Sequence, residues 1–168
     1  MSGDETLQCI GHGDGVFGLE SAVTLPAPLE QVFAFFSDAH NLERITPPAL
    51  RFHILGKGPI EVRTGTLIPY RLQLYGVPFR WLTRISTWSP PHVFVDEQLA
   101  GPFHSWHHTH RFRMLSPQST EMVDVVRYRL PLWPVSAPVR PLVTAEVARI
   151  FAYRNRGLTA LFAPPGRA

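Results

Sequence analysis

The sequence predicts an α+β fold: a curved antiparallel sheet of about seven strands wrapped around one long C-terminal helix. Three observations carry this. The middle of the chain alternates with period two and is cut by turn signals at hairpin spacing. The last quarter keeps a helical period. Between the first strand and the sheet lies one short apolar helical stripe. A long amphipathic helix must bury its stripe and a large sheet must bury one face; wrapping the sheet around the helix satisfies both and leaves space between them.

Each element has its own signal. The first strand is "GLESAVTL" at 18–25, with Leu19, Ser21, Val23 and Leu25 on one face. Pro26 and Pro28 end it. In "PLEQVFAFFSD", Leu29, Val32, Phe33 and Phe36 sit at i, i+3, i+4 and i+7, which makes one helical face. Asp38 can cap a second short helix, "AHNLERI", which must stop before Pro47-Pro48. Six further strands are expected at 51–56, 65–76, 79–88, 92–99, 103–115 and 119–130. Gly- and Pro-containing turns separate them, so the sheet should be an antiparallel meander. The final helix spans roughly 138–162, where Val139, Val143, Val147, Ile150, Phe151, Leu158, Leu161 and Phe162 keep the period. Arg149, Arg154 and Arg156 read as its solvated face.

Bulk properties bound the function. At 168 residues the expectation is a single domain at 17–163, a loose Gly-rich lead-in at 1–16 and a frayed tail at 164–168. The formal charge is only +3 and the arginines are scattered, which argues against nucleic acid as a partner. The single cysteine, Cys9, excludes an internal disulfide and fits a reducing compartment. No secretory signal and no run of transmembrane length is visible, so a cytoplasmic protein with no stable membrane insertion is expected.

Four of the eight histidines fall in "GPFHSWHHTHRF" at 101–112. On a strand, alternate side chains face alternate sides. His104, Trp106, His108, His110, Phe112 and Met114 then share the inner face, while Arg111 and Arg113 mark the outer one and send His107 outward. On the next strand Asp124, Val126 and Tyr128 share a face. A hairpin turning about Pro117 sets His110 opposite Asp124 and Trp106 opposite Tyr128. A slip of one residue would undo both pairings. Phe94, Asp96 and Gln98 share a face on the preceding strand, and Tyr70, Trp81 and Thr83 are further candidates for a cavity wall.

Buried imidazole and carboxylate groups are costly unless paired. A His110–Asp124 pair suits general acid–base work on a bound organic molecule, with Asp124 fixing the ring tautomer. The same pair also suits a hydrogen-bond network that shapes a cavity. A metal bound by His108, His110 and Asp124 is a third reading, but no Cys/His spacing motif supports it. Nucleophilic catalysis lacks a GxSxG elbow. "GHGDGVFG" is not framed as a phosphate loop. His12 and His40 read as exposed.

At this point the sequence resembles a known superfamily. "F.D.Q..GP...W.H.H.F" is present as Phe94, Asp96, Gln98, Gly101, Pro102, Trp106, His108, His110 and Phe112. "D.V.Y.LP" follows as Asp124, Val126, Tyr128, Leu130 and Pro131. With "NLERITPP" at 41–48 and "IFAYR" at 150–154, these resemble a bacterial group of the SRPBCC helix-grip superfamily, which includes START, Bet v 1-like and polyketide cyclase/dehydrase proteins. The resemblance runs from about residue 18 to residue 162. It implies a cavity for a hydrophobic or aromatic small molecule and no cofactor, but not one reaction. Trp106, Tyr128, Phe112, Phe94, Trp81 and Tyr70 would then supply apolar contact, and Asp96, Gln98, His108, His110 and Asp124 would orient the ligand by hydrogen bonds. In a cofactor-independent cyclase or dehydratase, His110 would be the base or acid, Asp124 its orienter and His108 a second proton-transfer or oxyanion group. A lipid-transfer module is the third possibility the resemblance leaves open.

Overall fold

The computed structural model describes residues 5–164 apart from positions 12, 14, 57 and 59. Eight strands form one antiparallel sheet: β1 (Glu5–Gly11), β2 (Val16–Leu25), β3 (His53–Ile54), β4 (Leu67–Leu74), β5 (Val77–Ser89), β6 (Val93–Ala100), β7 (Ser105–Ser116) and β8 (Ser119–Arg129). Their order across the sheet is β1-β2-β8-β7-β6-β5-β4-β3. Helices α1 (Leu29–Phe36) and α2 (Asn41–Arg44) follow β2, and the long helix α3 (Arg140–Leu161) ends the chain. The expected α+β architecture, a sheet gripping a C-terminal helix, is the one found.

Two differences stand out. Residues 5–11, expected as part of a loose lead-in, form β1 and pair with β2 from Glu5↔Val23 to Gly11↔Phe17. The signal is weak because only Leu7, Cys9 and Ile10 give the segment apolar character, and an edge strand needs little more. The second difference is at 103–104, expected as strand. The strand begins at Ser105, so alternation does not reach back. His104 is exposed and does not join the inner face, while Phe103 turns in against Trp81, Trp106 and Tyr128. His12 lies outside the described residues, as does the tail beyond position 164.

Local chemistry explains the turns. Tyr75 and Gly76 adopt φ of 48° and 83° between the closing pair Leu74↔Val77. Two consecutive positive-φ residues are what a two-residue hairpin of type I′ needs. Helix α1 buries Leu29, Val32, Phe33, Phe35 and Phe36. Three polar clips tie the layers together. Asn155 of α3 donates to Ser21 Oγ at 2.8 Å, Tyr128 Oη and Thr144 Oγ1 are 2.9 Å apart, and Thr120 donates to the Ala27 carbonyl at 2.8 Å.

Among the described residues the core falls into three clusters. One packs Phe33, Phe36, Phe94, Phe112, Met122 and Leu158; a second packs Leu19, Val126, Tyr128, Val147 and Phe151; a third packs Ala39, Ile54, Val62, Ile68 and Ile85. Between the first two runs a buried polar row. On β2 it is Ser21, on β8 Asp124, on β7 His110 and His108, and on α3 Asn155. The register makes this row continuous: Ser21↔Asp124, Asp124↔His110, and His108↔Asp96 on β6.

Candidate functional site

The polar row ends at a cavity of about 160 Å³ between the sheet and α3. A void of about 150 Å³ lined by apolar side chains is large enough for a benzene-sized molecule. Tyr70, Trp81, Phe94 and Trp106 supply aromatic wall from the sheet, and Phe36 and Phe151 from the helices. Asp96, His108 and His110 form its polar wall.

The expected register holds: His110 lies opposite Asp124 and Trp106 opposite Tyr128. The hydrogen bonding is more reciprocal than a single His110–Asp124 pair. His108 Nε2 donates to Asp124 Oδ1 at 2.9 Å, and His110 Nε2 donates to Asp96 Oδ2 at 2.9 Å. The second nitrogens complete a ring. His110 Nδ1 is 2.7 Å from Asp124 Oδ1, and His108 Nδ1 is 3.4 Å from Asp96 Oδ2. The Nδ1 contact of His110 is short but poorly directed for a hydrogen bond, so it acts mainly through charge. The two imidazoles lie tilted against each other with centroids 3.7 Å apart, and Phe94 stacks on His110 at 3.9 Å.

Electrostatics separates the two rings. For His108, burial and then the neighbouring His110 push its pKa below the ordinary histidine value. For His110, burial also opposes the cation, but Asp124 and Asp96 together outweigh it and raise the pKa. Burial opposes ionisation of both carboxylates, yet the histidines win, holding Asp96 below the usual carboxylate range and Asp124 well below it. The network therefore favours a proton on His110 over one on His108. Burial also raises the Tyr70 hydroxyl, so it stays protonated; it accepts a 3.3 Å bond from Thr83 Oγ1.

Asp96, His108 and His110 each present a donor atom, all within 4.8 Å of one another. Closing them on an ion would require breaking the Asp96–His110 hydrogen bond. The third member of this group is Asp96, and Asp124 stands behind both rings.

The remaining expected residues divide between wall and support. Tyr70, Trp81, Phe94, Asp96, Trp106, His108 and His110 line the cavity; Gln98, Phe112, Asp124 and Tyr128 do not. Gln98 instead braces the turn before β7: its Nε2 donates to the Phe103 carbonyl at 2.7 Å and its Oε1 accepts from Phe103 N at 3.3 Å. A Cβ on Gly101 would run into that side chain, so the glycine keeps the turn tight. Phe112 packs in the core against Phe33 and Phe36. Tyr128 stacks behind Trp106 at 5.9 Å. His107 faces out, and His40 is largely exposed beside Asp38.

One residue was misread. Arg154 does not belong to a solvated face; it lines the cavity. Its Nε and Nη1 are buried without a hydrogen-bond partner, and its Cζ lies 5.0 Å from the centre of the Phe151 ring. The sequence held the signal: Val147, Ile150, Phe151 and Arg154 are spaced i, i+3, i+4 and i+7, and all four line the cavity.

Comparison with known proteins agrees with this architecture. The Zhui aromatase/cyclase from Streptomyces sp. R1128 superposes with a TM-score of 0.73 at 19% identity, covering 91% of this chain and 97% of that one. A START superfamily protein from Mycobacterium smegmatis gives 0.67 at 16% identity, over 87% and 99% of the two chains. The ginseng major latex-like protein 151 from Panax ginseng gives 0.64 at 13% identity, over 89% and 99%. At these identities the likeness concerns the fold. No curated protein matches the chain in sequence. The family described as "Polyketide cyclase / dehydrase and lipid transport" matches residues 25–152, most of the chain. The chain is a member of the polyketide cyclase/dehydrase and lipid transport family, with the helix-grip fold of the START and Bet v 1-like proteins.

Proposed function

We propose that the protein binds a small hydrophobic, ring-bearing organic molecule in the cavity between the sheet and α3. The observation that carries this is the composition of the wall: a ring of aromatic side chains closed on one side by the Asp96–His108–His110 network. Apolar walls with a few convergent polar groups are the general form of small-molecule sites. Trp81 and Trp106 provide flat contact, and the network orients the ligand through hydrogen bonds. Asp124 acts from behind the wall by fixing both rings.

A second reading, catalysis of a cyclase or dehydratase type, is favoured by one specific observation. Two closely packed imidazoles at the wall are pushed in opposite directions, His108 toward the neutral form and His110 toward the imidazolium, which is the base-and-acid bias that moving a proton across a substrate requires. In this reading the base is His108 and the acid is His110, which narrows the base-or-acid role expected of His110.

Native mass spectrometry of the purified protein, with organic extraction of what it carries, tests binding. A co-purifying aromatic or alicyclic molecule, lost or reduced in Trp106→Ala, is the expected result. Absence of any bound small molecule, together with no binding of aromatic probes, would refute it. With the ligand in hand, His108→Ala and Asp124→Asn separate the two readings. Retained binding with product formation reduced by about a hundredfold or more marks acid–base catalysis. Lost binding with no turnover in any variant, wild type included, marks a carrier.

A further inference from the structure

The cavity wall holds hydrogen-bond donors that the protein itself does not use. Among the described residues, the cavity-lining residues carry four buried side-chain atoms without a hydrogen-bond partner: Trp81 Nε1, Arg154 Nε and Nη1, and the His110 Nδ1 that faces Asp124. With His110 accounted for, every remaining unused group is a donor, and two of the three belong to a cation. We propose that the ligand carries an anionic oxygen group, a carboxylate on an apolar ring body, and that Arg154 receives it. This rests on the binding reading above and narrows it to a class of ligand.

Arg154 differs from the arginines that have found partners. Arg149, on the same helix, is paired with Glu146; Arg84 is paired with Glu97 and Arg113 with Glu121. Arg154 has no ion pair among the described residues and rests on the Phe151 ring. A guanidinium stays charged in proteins, so it cannot escape burial by losing a proton. Helix period forces it inside, along the stripe of Val147, Ile150 and Phe151. Arg154 is half-buried as a residue, but its Nε and Nη1 are fully buried without a hydrogen-bond partner, and such donors are costly until an acceptor enters. Asp96 feels the Arg154 charge, but its carboxylate is hydrogen-bonded to His110 and not to the guanidinium. A single guanidinium in a small, mainly aromatic cavity suits a monovalent planar anion and not a phosphate. The indole N–H of Trp81 gives the same cavity a second donor for an oxygen of the ligand.

The test uses matched acids and alcohols, titrated into the full chain at pH 7 by calorimetry. The probes are 3-phenylpropanoate against 3-phenylpropan-1-ol, and 1-naphthoate against 1-naphthylmethanol. The proteins are wild type, Arg154→Gln and Arg154→Met. The expected result is that at least one acid binds wild type about tenfold tighter than its alcohol, that both variants lose this preference, and that alcohol binding barely changes. Alcohols binding wild type as tightly as acids, or an acid preference that survives in the variants, would overturn the Arg154 assignment and leave the cavity reading standing. No binding by any of the four probes would overturn both. Thermal melting of the unliganded variants guards against a folding artefact. Arg154→Met should melt at or above the wild-type temperature, because it removes buried unpaired donors; a large drop in both variants would show a structural role and overturn the proposal.

Discussion

Asp124 shows how one buried carboxylate sets the state of two rings. It accepts from His108 and lies against His110, and with Asp96 it outweighs burial at His110 but not at His108. Nitrogen-detected NMR of the imidazoles should find His110 titrating above the ordinary histidine value and His108 below it. In Asp124→Asn the upward shift of His110 should shrink and the two rings should titrate closer together; an unchanged His110 would contradict the assignment. The pH dependence of stability follows from the same shifts. His110 has a raised folded pKa, so its contribution is complete below the unfolded value of about 6.5 and fades as pH rises through the folded one. His108 has a lowered pKa and contributes with the opposite slope, so the two offset each other near neutrality. The carboxylates are unopposed. Their folded pKa values are depressed, so their contribution is present above about 3.9 and lost as pH falls through the folded values. Urea midpoints measured from pH 5 to pH 2 should therefore fall steeply for wild type and less steeply for Asp124→Asn.

At the scale of elements, α1 determines whether the sheet has anything to close on at the end away from Arg154's aromatic neighbours. Phe33 meets Trp88, Phe94 and Phe112 at ring-centroid distances of 5.0, 6.2 and 5.3 Å. It is buried but does not line the cavity. Phe33→Ala should cost about 3–5 kcal/mol in urea unfolding, the usual range for emptying a buried phenylalanine site. A cost below about 1 kcal/mol would show that α1 is a loosely held flap and not a wall of the core. Helix α3 works differently. Its inward stripe carries apolar residues, Arg154 and Asn155 together, so it both closes the core and brings polar chemistry to the cavity. The clip from Asn155 to Ser21 fixes α3 over the polar row.

For the whole molecule, the open sheet has two edges, β1 and β3. Strand β1 covers β2 along its length from Val23 to Phe17. Removing residues 1–11 should bare the β2 edge, and unpaired edge groups recruit other chains. Size-exclusion chromatography should show the truncated protein self-associating at concentrations where the full chain does not, with a lower melting temperature. A truncated protein as stable and as dispersed as the full chain would mean that β1 is dispensable. No helix among the described residues is long and apolar enough to cross a membrane.

The sequence by itself determined the architecture and most of the inner face. Period-two alternation from 105 onward and the turn at Pro117 fix parity, and parity alone brings His110 opposite Asp124 and sends His107 out. Helical spacing likewise gave both helices at the two ends of the chain, with limits near the observed Leu29–Phe36 and Arg140–Leu161. Alternation fails where the strand begins, which is why His104 and Phe103 were reversed, and the inward reading of Met114 fails near the far end of β7, where that side chain is exposed. The third dimension decided what parity cannot express. Which carboxylate serves which imidazole depends on side-chain reach across neighbouring strands, and the answer engages Asp96 as fully as Asp124. Whether an inward residue lines the cavity or supports the wall is decided by the packing, which separates Trp106 and Phe94 from Tyr128 and Phe112. Arg154 is the instructive case. Its spacing placed it on the inward stripe, its charge suggested solvent, and only the packing of α3 over the cavity shows that it lines that space with its Nε and Nη1 buried.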